Sequence, residues 1–178
     1  MLIKISNKWL KKKFYCSEEM IRNTCKGRCC KTAKGTTLIS ILPEEEKSLK
    51  GKYPLCKFEG NKIKNKTEIC FFKDDYGFCK LHKTKDKPLG CIFSPFKINK
   101  NNTLIIRHRY LMFPCFKHPQ GDYAYNTFKA SLIKAFGQEK YEEIKKKLET
   151  KEEDFYIELD NEMYDKLNFL EETKKDGL

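Results

Sequence analysis

Nine cysteines stand in a chain of 178 residues, and their types and spacing are the first thing that could do chemistry. A thiolate is a nucleophile, a redox centre and a soft metal ligand. In the string Cys25–Lys26–Gly27–Arg28–Cys29–Cys30, three intervening residues put Cys25 and Cys29 on the same side of a turn, so one ion could take both. Adjacent cysteines such as Cys29 and Cys30 rarely bond to each other, because the eight-membered ring strains the peptide. The pair reads as a bridge between neighbouring metal positions, or as one ligand and one packing thiol. Gly27 lets the backbone turn tightly around a centre. A second group holds Cys70, Cys79 and Cys91, and Cys115 follows in the string RYLMFPC. Cys56 has no place in the pattern and reads as an inert thiol, which packs like a small hydrophobe.

The compartment decides between metal and disulfide. The opening segment has only a few apolar residues before Lys11, Lys12 and Lys13 interrupt it, which is too short for a secretory core. No run approaches the roughly 18 apolar residues of a membrane span. The expectation is a cytoplasmic protein with no membrane partner, and in a reducing cytosol clustered cysteines favour metal or redox chemistry over disulfides.

Charge is unevenly spread. From residue 139 onward there are 14 acidic and 8 basic side chains, a net of −6; the first 138 residues carry 29 basic and 11 acidic, a net of +18, and all nine cysteines. Lysines around thiolates would stabilise them. A basic surface can also serve nucleic acid, but zinc-ribbon spacing is absent, so nucleic acid ranks behind metal here. Two histidines have ligand-like spacing, His82 three residues after Cys79 and His118 three after Cys115. A hydrogen bond or packing role is preferred for His82 and a loop role for His118. His108 is expected in a strand, between Arg107 and Arg109.

The order of these features resembles the YkgJ-type family of small cysteine-cluster proteins, to which the flagellin lysine N-methylase type is similar. The resemblance runs from about Cys16 to Cys115. It rests on the Cys29–Cys30 pair, a strand, a Pro-Glu-Glu helix start, Cys70, Cys79 in CKLH, and Lys87–Pro88–Leu89–Gly90–Cys91 with Pro95 four residues on. Departures are the eight residues between Cys16 and Cys25, Lys87 where arginine is usual, and Ile92 where a basic residue often follows. Lysine cannot make arginine's bidentate contact. The resemblance implies iron or zinc chelation, as a 4Fe–4S cluster or as zinc. Its ligand set is Cys25, Cys29, Cys30, Cys70, Cys79, Cys91 and Cys115, with Cys16 left open. Seven candidates exceed four, so two centres, or one with thiols in reserve, are both open.

The elements that must position these thiols are short. Thr36–Leu42 reads as a buried strand, and Pro43 followed by three glutamates reads as a helix start closed by Gly51 and Pro54. Residues 52–70 suit a loop or hairpin. Thr103–Phe113 reads as a strand after the turn-like Asn99–Asn102, and Ile98–Phe113 as a hairpin. From Tyr123 the period becomes helical, with Phe128, Leu132, Ile133 and Phe136, a break at Gly137, then Tyr141, Ile144 and Leu148. A last helix is expected over 162–173. The fold class is α+β: a single domain, 1–178, with a cysteine-rich metal-centred region at 16–115 and a helical part at 123–175.

Three functions fit. The first is an iron–sulfur or zinc protein for redox or metal handling, with a protein redox partner. The second is a metal-dependent enzyme that modifies a protein side chain, which rests on the resemblance alone. The third is a zinc-stapled nucleic-acid module. No P-loop, dinucleotide fingerprint, HExxH or GxSxG occurs. Enzymatic activity is left open.

Overall fold

Alternation decides the sheet. In the strand β1 (Leu2–Ile5), Ile3 and Ile5 are fully buried while Leu2 is exposed, the two-residue period of a strand with one covered face. The computed structural model describes residues 1–31, 40–64 and 69–172. In chain order the remaining elements are α1 (Asn7–Leu10), β2 (Lys13–Phe14), α2 (Glu18–Met20), a π turn (Ile21–Cys25), a 3₁₀ turn (Arg28–Cys30), α3 (Pro43–Lys52), β3 (Lys57–Phe58), β4 (Ile63–Lys64), α4 (Leu89–Phe93), β5 (Phe96–Ile98) and β6 (Thr103–Ile106). They continue with a 3₁₀ turn (His108–Met112), β7 (Asp122–Tyr123), α5 (Ala124–Thr127), α6 (Lys129–Phe136), α7 (Gln138–Thr150), β8 (Phe155–Glu158) and α8 (Asn161–Glu172). The fold class is α+β, as expected.

The chain divides into two compact units. The first comprises Met1–Ser17 and Ile92–Leu167, the second Glu18–Cys91 and Asn168–Leu178. These cut across the 16–115 and 123–175 regions read from sequence.

The first unit is built on a four-stranded sheet in the order β5-β6-β1-β8. β1 runs parallel to β6 and antiparallel to β8, so that Ile3 faces Ile157 and Ile5 faces Phe155 on the covered side. β5 and β6 form the expected hairpin, with Asn99 Oδ1 accepting the N–H groups of Asn101 and Thr103 across the turn. α6 and α7 bury Leu132, Phe136, Tyr141, Ile144 and Leu148 of the expected stripe, with Ala135 beside them, while Phe128 and Ile133 are half-buried. Gly137 joins them at φ +82°, a left-handed conformation that glycine adopts without strain.

The second unit is lean. One buried cluster in it is Ile41, Leu49, Cys56, Ile63, Cys70, Phe72 and Leu81, with Cys30, Tyr53, Phe58 and Cys79 packed against it. α3 opens with Pro43 and three glutamates, as expected, and continues through Gly51 to Lys52. β3 and β4 make the hairpin that follows Cys56.

Two expectations change. The strand expected over 103–113 lasts only to Ile106. Its partner β5 is three residues long, and after the Arg107 N–H bond to the Pro95 carbonyl (2.9 Å) the chain turns into a 3₁₀ helix from His108. A strand extends only as far as its partner does. His108 is therefore in a helical turn, its ring centre 5.6 Å from that of Trp9 in an edge-to-face arrangement. The strand expected over 36–42 lies mostly outside the described residues; Ser40 bridges Lys62.

Candidate metal centre

Four loop segments of the second unit carry the thiols, and glycines let them close up. The π turn ends at Cys25, after which Lys26 (φ +50°) and Gly27 (φ +61°) are both left-handed and reverse the chain into the 3₁₀ turn. There the Cys30 N–H donates to the Gly27 carbonyl at 2.9 Å. A Cβ on Gly27 would lie 2.1 Å from the Gly77 carbonyl oxygen, and one on Gly77 (φ +97°) would lie 2.7 Å from the Lys26 carbonyl carbon. Only two glycines allow this backbone contact between the CKGRCC loop and the Asp74–Cys79 turn. Arg22 adds to it, its guanidinium 5.4 Å from the Tyr76 ring centre and 5.2 Å from that of Phe78.

Hydrogen bonds fix the remaining segments. The Cys70 N–H donates to the Cys30 carbonyl at 3.0 Å, beside a bridge from Lys31 to Ile69. Cys70 and Cys79 are tied through the Lys73–Cys79 bridge and the Lys80 N–H bond to Phe72 (2.8 Å). Asp74 shapes the turn between them, its Oδ1 accepting the Phe78 N–H at 2.8 Å. Cys91 sits on α4, whose first residue, Leu89, donates its N–H to Glu45 Oε1 at 2.6 Å; Glu45 Oε2 accepts the Leu42 N–H at 2.9 Å. One carboxylate on α3 thus caps its own helix and anchors the segment that presents Cys91.

The electrostatics follow from this packing. Burial pushes the Cys70 thiol up to about 11, opposed by the Phe72 N–H bonded to it and reinforced by the charges of Cys79, Cys56 and Cys29. Cys79 is raised by burial, opposed by the Leu81 N–H and by Lys87, and raised further by Cys29. Cys91 is raised by burial and then by Cys70 and Cys79, with Lys87 opposing and Cys29 adding. Cys30 is raised first by its hydrogen bond to Cys29, then by burial and by the charges of Cys29, Cys91 and Cys70. Every pair among Cys29, Cys70, Cys79 and Cys91 is coupled in this way. Such coupling requires proximity in a medium of low polarity. The N–H groups of Phe72 and Leu81 each stand two residues beyond a cysteine and favour its charged form.

Of the seven ligand candidates, the structure therefore brings together Cys29, Cys30, Cys70, Cys79 and Cys91. Cys29 is exposed, Cys30, Cys79 and Cys91 are half-buried and Cys70 is buried. Cys25 is buried at the end of the π turn, and Cys115 is buried in the first unit with its carbonyl accepting the Tyr15 N–H. None of the nine cysteines forms a disulfide. Among the described residues no three His, Cys, Asp or Glu side chains already stand as ligands about one point. The donors are gathered; a closed coordination sphere is not formed. His82 is exposed, and its Nδ1 meets Lys87 Nζ at 3.1 Å. Its pKa is lowered by burial, Lys87 and Lys83. His118 stacks on Tyr15, with ring centres 4.8 Å apart.

Sequence reading missed Glu45, the Gly27–Gly77 contact and the sulfur-bonded N–H groups of Phe72 and Leu81. Only the first left a signal, a glutamate at the third position of a proline-led helix. Among the described residues no helix is long and apolar enough to cross a membrane. Comparison with protein-family models, curated proteins and solved structures finds no match.

Proposed function

We propose that the second unit holds zinc or an iron–sulfur cluster on Cys29, Cys70, Cys79 and Cys91, with Cys30 beside them, and that the protein serves redox transfer or metal handling. The supporting observation is that backbone and capping bonds hold thiol-bearing segments of distant sequence together: the Cys70 N–H donates to the Cys30 carbonyl, Lys73 bridges Cys79, and Glu45 anchors Leu89 two residues before Cys91. The mutual raising of the thiol pKa values agrees with it. Thiols do not gain by crowding: each opposes the ionisation of the next. A soft cation reverses that balance, because it binds the thiolates and releases their protons.

The donor chemistry fits. Sulfur ligands suit zinc and iron–sulfur clusters, and four thiolates meet the coordination number of either. Two N–H groups bonded to sulfur, and Lys87 near Cys79 and Cys91, offset the negative charge that such a set accumulates. When bound, the metal would supply a one-electron couple if it is an iron–sulfur cluster, or structural closure and Lewis acidity if it is zinc. The exposed Cys29 would let solvent or a partner reach the centre.

The test is purification without air, followed by iron, zinc and acid-labile sulfide analysis and a visible absorption spectrum. The expected result is about one zinc per chain, or iron with matching sulfide and a brown colour. Colourless, metal-free protein that is nonetheless stably folded would overturn the proposal.

A further inference from the structure

The first unit carries a surface that the metal centre does not use. Residues 1–17 hold five lysines and no carboxylate, and residues 107–118 hold two arginines, one lysine and two histidines, again with no carboxylate. Backbone pairing brings parts of these segments side by side. The Lys117 N–H donates to the Lys13 carbonyl at 3.0 Å, the Tyr15 N–H to the Cys115 carbonyl at 2.8 Å, and Phe14 bridges Phe116. On the other edge of β2, Lys13 pairs with Tyr123 in β7.

The alternation of extended chain then sorts the side chains. Phe14 turns inward, its ring 5.3 Å from those of both Phe116 and Phe128. Lys13 is left exposed and Tyr15 half-buried. Around this edge cations and rings interleave. Lys12 Nζ lies 5.1 Å from the Trp9 ring centre and 5.7 Å from that of Phe116, and Lys117 Nζ lies 5.5 Å from the same Phe116 ring. Lys13 Nζ stands 6.0 Å from the Tyr123 ring. Tyr15 and His118 are stacked at 16°. Trp9, Tyr15, Phe116, His118 and Tyr123 are all half-buried. Asp122 is an acid at this edge, and its Oδ1 accepts the Tyr123 N–H and the Asn126 side chain.

Half-buried rings with ammonium groups beside them offer two kinds of contact at once. Bases stack on rings, and phosphates meet the ammonium groups. An acidic peptide would use the cations and leave the rings idle. A lipid surface favours apolar side chains that project outward, not rings lying beneath lysines. Paired bases keep their faces stacked inside the duplex and cannot reach a ring. We propose that this face of the first unit binds single-stranded nucleic acid, with Lys12, Lys13 and Lys117 on phosphates and Trp9, Tyr15 and His118 on bases. The site is separate in sequence and chemistry from the proposed metal centre and stands without it. It also differs from the zinc-stapled nucleic-acid module considered from the sequence, because its residues are rings and lysines and not thiols.

Trp9 is the only tryptophan in the chain and reports stacking directly. The experiment titrates the full chain with single strands of uridylate or deoxythymidylate of about 15 nucleotides, following Trp9 fluorescence and strand anisotropy. Quenching is expected, with affinity falling at least about tenfold between about 50 and about 200 mM salt. Binding of uridylate alone identifies RNA as the ligand, binding of deoxythymidylate alone identifies DNA, and binding of both shows a site open to either strand. A Lys12→Glu/Lys117→Glu variant with wild-type circular dichroism and melting should bind at least about tenfold more weakly. Should that variant not fold, Tyr15→Leu keeps apolar bulk and should bind several-fold more weakly through lost stacking. The proposal is overturned by no binding at the lower salt, by binding without quenching, or by equal affinity in the folded variant used. It is equally overturned if duplex DNA, polyglutamate or anionic vesicles bind as tightly and quench as strongly as the single strands.

Discussion

The two units are held by different chemistry, although they belong to one chain. In the first, each strand and helix has a covered face: Ile3 and Ile5 against Ile157 and Phe155, and Leu132, Tyr141, Ile144 and Leu148 from the helices. In the second, the described strands are two residues long, and two of the seven residues in its buried hydrophobic cluster are cysteines. Hydrophobic burial contributes about 25 cal/mol per Å² in either unit. The comparison teaches that the second unit's thiols are placed by glycine turns, single hydrogen bonds and one carboxylate. A bound ion would complete such a structure by adding its binding free energy to folding.

Removing a thiol should have the largest effect. Cys91→Ser is expected to abolish metal content and lower the melting temperature of the metal-loaded protein by ten degrees or more, since structural zinc contributes about 10 kcal/mol or more. Metal analysis and calorimetry of the variant check this. Full occupancy would place Cys91 outside the site.

Ile3→Ala probes the other side of the comparison. A fully buried isoleucine in the sheet should cost about 2–5 kcal/mol, measured by urea denaturation, while the folded fraction keeps its metal-to-protein ratio. Loss of metal from the folded fraction would mean that the two chemistries are not separable. Gly27→Ala puts a Cβ 2.1 Å from the Gly77 carbonyl oxygen in a left-handed residue. The left-handed conformation alone costs about 1–2 kcal/mol, so weaker metal retention under chelator challenge is expected. Retention equal to wild type would show that the loop contact is dispensable.

The pH response of metal-stripped protein gives a smaller, signed effect. Unfolded thiols ionise near about 8.5, whereas Cys70 holds its proton to about 11 and Cys30, Cys79 and Cys91 are also raised. Between these values the unfolded state binds fewer protons than the folded state, so stability falls as pH rises through this window. Metal affinity changes in the opposite sense, because the ion competes with protons for sulfur. Thermal melts of stripped and loaded protein at rising pH should therefore diverge; parallel melts would contradict the linkage. The smallest effect is expected for Cys115→Ala, which should leave metal content unchanged and lower stability by about 1 kcal/mol.

Legibility in the sequence follows the same division. Helical stripes around Leu132 and Ile144, the Asn99 turn and the Pro43 helix start were readable because each is a local pattern. β1 and β8 were not, because four-residue strands carry little period and pair across 150 residues of sequence. At the candidate site, cysteine spacing marks Cys29, Cys30, Cys70, Cys79 and Cys91, whose segments backbone and capping bonds tie together, along with Cys25 and Cys115, which are buried at the end of the π turn and in the first unit. Spacing in CKGRCC treats Cys25 and Cys29 as equivalent. The left-handed pair Lys26–Gly27 reverses the chain between them, which spacing alone does not show. The capping role of Glu45 leaves a local signal, but its bond to Leu89, 44 residues away, does not.

Differential alkylation tests the central claim most directly. Metal-loaded and metal-stripped protein are labelled under native conditions, and each cysteine is quantified by peptide mass spectrometry. Convergence of the thiols on an ion predicts that Cys29, Cys70, Cys79 and Cys91 are protected only in the loaded protein, while the exposed Cys16 labels equally in both states. Identical labelling of those four thiols with and without metal would contradict it.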